Sequence, residues 1–154
     1  MPNFSVTTTT ATLVASTAVT AIELRTGSVP IKVLKWWTDF NSATSTDKPV
    51  LVQSGRFSAA VTTNSAATPS AMSYVGQDTS AQTAAGVNAT TEGAGTPAAN
   101  TESHNVLPQG GLYAAWETDD TALWVAPNSY WRLRITPGSA ITTTTANCGV
   151  VWTE

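Results

Sequence analysis

The chain has 154 residues, a formal net charge of −3 and only 11% charged residues, against about 25% in ordinary soluble domains. That length fits one domain, residues 1–154, large enough to bury a core without disulfides or metal. The charge balance argues against nucleic acid as a partner, and no apolar run approaches the ~20 residues of a membrane-spanning helix.

The start, MPNFSVTTTTATLVASTAVTA, has small residues that mimic a cleavage site. It lacks a basic leader and a solid apolar core, so a signal peptide is not expected. TAIELRT follows, with Ile22 and Leu24 alternating against Glu23 and Arg25, the pattern of a strand with one buried face. VPIKVLKWWTDF (29–40) alternates differently. Leu34, Trp36 and Phe40 share one face, while Ile31, Val33, Trp37 and Asp39 share the other. Apolar bulk on both faces marks a central strand, or one whose second face meets a partner. After the polar turn NSATSTD, KPVLVQSGRF (48–57) reads as its antiparallel neighbour.

Residues 58–103 are rich in Ala, Thr, Ser, Gly and Asn, with Met72, Tyr74, Val75 and Val87 as the larger apolar residues. A structureless loop of this length is unusual in a compact domain. The segment therefore holds short strands, AMSYV being the best candidate, or forms an arm ordered by another subunit. Strand signals resume with GLYAAWET, ALWVAP, YWRLRITP and AITTTTANCGVVWTE, punctuated by DD, PNS and PGS turns. In the third of these Trp131, Leu133 and Ile135 oppose Tyr130, Arg132 and Arg134. The arginine pair, like Lys32 and Lys35, reads as the solvent face of a strand. The expected fold is all-β: one antiparallel β-sandwich or jelly roll with a long Ala/Thr/Ser-rich middle loop or arm.

The stretch ESHNVLPQGGLYAAWETDD (102–120) holds the only histidine, His104, among Glu102, Glu117, Asp119 and Asp120. A phosphate cradle needs glycines leading into a helix, but PQGG leads into a strand. Ser103 is adjacent to His104, and neighbours in an extended chain point apart. With one His and one Cys, a metal site is not expected. Asp119-Asp120 occupies a turn, where Asp is favoured for backbone reasons. We therefore expect no catalytic, cofactor or metal site, and PQGG as a turn feeding a strand. Cys148, within ANCGVVW, is expected to be a buried, inert thiol.

Six tryptophans are many for this length. Trp36 and Trp37 point to opposite faces, so one of them leaves the core. Exposed aromatics serve oligomer interfaces or sugar platforms. The candidate interface anchors are Phe4, Trp37, Tyr74 and Trp124.

The segments MPNFSVTTTTATLVASTAVTAIELRT, VPIKVLKWWTDFNS, PVLVQSGRFS, LPQGG and WRLRITPGSAITTTTANCGVVWTE resemble small structural proteins of tailed bacteriophages and prophages, of the capsid decoration (cement) kind. The resemblance covers most of the chain and is weakest over 58–103. It implies a β-rich, homotrimeric virion protein on the outer capsid surface that clamps the major capsid protein. An alternative is a tail, collar or fibre protein with a host- or carbohydrate-binding role. In the decoration reading, residues 58–103 or the N-terminal segment carrying Phe4 would be the clamping arm.

Overall fold

The computed structural model describes residues 2–41, 44, 46–72, 80–116, 122–139, 141 and 144–154. These fold as a β-sandwich of two antiparallel sheets. The strands are β1 (Asn3–Leu13), β2 (Val19–Arg25), β3 (Ile31–Asn41), β4 (Val50–Phe57), β5 (Thr63–Ala67), β6 (Ser70–Ala71), β7 (Ala84–Thr91), β8 (Glu102–Val106), β9 (Leu112–Ala115), β10 (Leu123–Val125), β11 (Tyr130–Thr136) and β12 (Thr144–Thr153). The first sheet runs β10-β3-β12-β1-β6, with β9 also pairing β3; the second runs β5-β7-β2-β11-β4-β8.

Strand β3 shows how the chain resolves apolar bulk on both faces. Val33 pairs Trp152 and Lys35 pairs Val151, so Leu34 is an extra residue opposite an unbroken β12. A bulge of this kind reverses the alternation beyond it. Ile31, Val33 and Trp36 all enter the core at 0% exposure, and Trp37 is turned outward. Simple alternation had placed Val33 and Trp37 together; the bulge separates them. A second bulge in β2, between the pairs Ile22–Leu133 and Thr20–Arg134, lies at Ala21.

Trp36, Trp131 and Trp152 fill the space between the sheets with Leu24, Leu133, Ile135 and Val150. Phe4 belongs to this core, at 1% exposure and with its ring centroid 5.9 Å from that of Trp152. It is therefore not an interface anchor: alternation along β1 points Phe4 and Val6 inward. Nor is the N-terminal segment a free arm, since β1 lies between β12 and β6.

The middle segment differs most from expectation. The described parts of 58–103 form β5, β6, β7 and the start of β8, and the stretches around Ala59–Val61 and Glu92 cross the outer face of the second sheet to reach Glu23 and Arg132. Of AMSYV, Ala71 lies in β6 and Met72 just beyond it, while the remaining three residues lie outside the described residues. The segment has little apolar surface, so hydrogen bonds and charges hold it. Strand β7 is laddered to β2 from Ile22–Val87 to Arg25–Ala84. The Val61 amide donates to Glu23 Oε2 at 2.6 Å, and Arg132 Nη2 donates to the Ala59 carbonyl.

Arg132 consequently has 0% exposure and is no solvent-facing residue. Its guanidinium lies 3.5 Å from Glu23 Oε2 and 3.5 Å from Glu92 Oε2, and 4.9 Å from the Phe57 ring centroid. Burial pulls its pKa down, and the carboxylates of Glu23 and Glu92 oppose that shift. At Gly95 a Cβ would collide with Arg132 Nη2 and the Ala59 carbonyl, so the crossing chain needs glycine there.

Candidate functional site

Among the described residues, the outer face of the first sheet gathers the exposed aromatic side chains Tyr113 and Trp124. Pairing across β10, β3, β12 and β1 sets its rows. One row is Trp124, Lys32, Thr153 and Asn3. The next is Ala115, Lys35, Val151 and Ser5; the third is Tyr113, Trp37, Gly149 and Thr7. Trp124 is 49% exposed and Tyr113 is 62% exposed. Trp37 is half-buried because it lies over β12, where Gly149 leaves room. A Cβ at position 149 would land inside the Trp37 ring. Glycine inside an apolar strand often marks such close approach.

With the indole leaning toward β12, a groove of about 350 Å³ opens between Lys35, Trp37, Asp39, Gly110, Gly111, Leu112 and Tyr113. Lys35 Nζ stands 5.7 Å from the Trp37 ring centroid. Gly111 has φ of +66° and its missing side chain admits Asp39: a Cβ there would lie 2.9 Å from the Thr38 carbonyl and still closer to the Asp39 carboxylate. Below the groove, on the core side, Cys148 Sγ donates to Thr38 Oγ1 at 3.3 Å. Burial pushes the Cys148 thiol up to about 12, the Thr38 hydroxyl opposes this and Asp39 adds to it. The thiol is buried, as its apolar strand led us to expect.

No protein-family model, curated protein or solved structure matches this chain.

The site is therefore read from geometry. Of the four anchors expected from sequence, Trp37 and Trp124 share this face, Phe4 is in the core and Tyr74 lies outside the described residues. Trp124 sits beside Lys32, whose ammonium is 5.8 Å from the indole centroid. Lys32 itself is only 8% exposed, so it is covered and not a free solvent-facing charge. Tyr113 and Gly149 were not singled out in the sequence; Asp39 was placed on the face of Trp37, and Gly111 was read only as part of the PQGG turn. Gly149 was the available signal, as the one glycine within ANCGVVW.

The PQGG stretch is the expected turn, closed by Gly110 N–H donating to the Leu107 carbonyl at 3.0 Å and leading into β9. His104 is exposed on the edge strand β8, and Ser103 accepts from Gln53 Nε2 at 3.3 Å. Glu117, Asp119 and Asp120 lie outside the described residues. Among the described residues, no group of three or more His, Cys, Asp or Glu side chains is placed to hold a metal.

Proposed function

We propose that this protein is a structural component of a tailed-bacteriophage particle, a decoration protein that binds the major capsid protein on the outer shell as a homotrimer. The observation that carries the reading is one end row of the first sheet. Trp124, 49% exposed, stands at one edge, and Met72, 47% exposed, at the other, joined to the row by its N–H to the Asn3 carbonyl at 2.8 Å. Four strand spacings separate them, about 19 Å. Large apolar side chains on a lightly charged surface make the core of a protein interface. A protein that binds only the assembled shell stabilises that shell by mass action.

The resemblance had placed the clamp in an arm. The described parts of 58–103 and the N-terminal strand are committed to this chain's own sheets, so the reading rests on a preformed face. Quantitative mass spectrometry of purified particles tests it. Copies comparable to the coat protein are expected, with Trp124→Ala lowering occupancy. A handful of copies would move the protein to a tail, collar or fibre; absence from particles would end the virion reading.

A further inference from the structure

We propose that the groove between Trp37 and Tyr113 is a carbohydrate-binding site that takes a neutral pyranose. This goes beyond capsid attachment and does not depend on it, because the groove lies in a different part of the face from the Trp124 row.

The charges around the groove select the ligand class. Lys35 Nζ lies 5.7 Å from the Trp37 ring centroid, so a ligand cation approaching the ring meets its repulsion. Asp39 lines the same groove, so its charge and that of Lys35 balance and the site favours neither a cation nor an anion. Nucleic acid adds one phosphate per base and approaches a chain of net charge −3. A wholly apolar ligand would strip water from Lys35 and Asp39 without replacing their hydrogen bonds. The remaining class is neutral, with one apolar face and hydroxyls around its rim. A pyranose ring has that form.

The parts fit those needs. The indole of Trp37 is held flat by its bed on Gly149, so stacking orders no loose ring. Tyr113 forms the opposite wall with its phenol exposed. Lys35 supplies donors and Asp39 supplies acceptors, and a sugar hydroxyl uses both. A concave site with aromatic lining and a few fixed polar groups is the usual form of a small-ligand pocket. The open groove suits one ring of a longer chain, with its neighbours in solvent.

The test uses the free protein, without capsids. Cellohexaose, maltohexaose, chitohexaose and a β-1,4-linked galactohexaose are titrated while tryptophan fluorescence is followed, each up to about 10 mM. At least one is expected to give saturable binding, confirmed by calorimetry. Trp37→Ala and, as a variant on the exposed wall, Tyr113→Ala are each expected to weaken it about tenfold, the scale of one aromatic contact. Asp39→Asn weakens it less, and Trp124→Ala leaves it unchanged. Circular dichroism establishes that each variant is folded. No saturable binding by any of the four sugars overturns the proposal. So does binding unaffected by both Trp37→Ala and Tyr113→Ala, or stronger binding of tetramethylammonium or of a sulfated oligosaccharide in the groove.

Discussion

Replacing Glu23 by Ala should be among the most damaging single changes in this chain. The Glu23 side chain is 1% exposed and the Arg132 side chain beside it is 0% exposed. Its loss leaves a buried guanidinium with Glu92 as its remaining carboxylate contact, and removes the acceptor of the Val61 amide. Breaking a buried pair from one side costs about 3–5 kcal/mol. The orphaned amide, about 1–3 kcal/mol alone, overlaps with that figure. A domain of this size has roughly 5–15 kcal/mol in total. At about 2–4 °C per kcal/mol, the midpoint should fall by about 6–20 °C. Thermal melts followed by the fluorescence of Trp36, Trp131 and Trp152 measure that shift, and urea unfolding measures the free energy. The double variant Glu23→Leu/Arg132→Met removes both charges and should be more stable than Glu23→Ala alone. A loss under about 1 kcal/mol for Glu23→Ala would refute the reasoning, because it would mean water reaches the pair.

Other changes probe separate parts of the structure. The Glu154 carboxylate is pushed up by burial, but N–H donors outweigh this: Gln82 at 2.8 Å, Thr83 at 2.9 Å and Trp152 Nε1 at 3.2 Å hold its pKa below the ordinary value. Its contribution is therefore complete above the ordinary carboxylate range, about 4.3, and is lost as pH falls through the lower folded value. Glu154→Gln should flatten that acid limb in a pH series of thermal melts. Cys148 should resist iodoacetamide at pH 8 in the native protein and react after unfolding, read by mass spectrometry. Gly149→Ala should displace the Trp37 ring at a cost of about 1–3 kcal/mol and shift its emission. Limited proteolysis should spare 58–67 and 84–98, which are bound across the second sheet; cleavage there in the native state would restore the arm.

The strands were legible because alternation is a local property. Trp131, Leu133 and Ile135 announce a buried face without reference to any other residue. The bulge at Leu34 was not legible, because the reversal it causes appears only against the unbroken pairing of β12. That hidden step decides which of Trp36 and Trp37 reaches the surface, and with it the position of the groove. Arg132 misled for a related reason. Its alternation correctly placed it on the outer face of β11, but an outer face is solvated only when nothing crosses it. The chain that crosses is rich in Ala, Thr and Gly, and its hold comes from backbone groups such as the Ala59 carbonyl and Val61 amide. Backbone groups are the same in every sequence, so they leave no trace in composition. Trp124 and Trp37 were identifiable as candidates from their number and alternation, whereas Tyr113 and Asp39 become neighbours only when β9 docks on β3.

The pairing of β1 with β12 bears on how the molecule comes into being. Asn3 lies opposite Thr153, across a separation of 150 positions. Closing a loop of that length carries an entropic charge of about 4–5 kcal/mol before any contact is made. Sheets built from such distant strands form slowly. Until β12 arrives, β1 and β3 have no common neighbour, and Trp37 has no Gly149 to lie on. A chain that lacks β12 lacks the bed on which the Trp37 indole rests, and with it this groove. The aromatic surface thus depends on the pairing of β12 with β3, strands more than 100 positions apart.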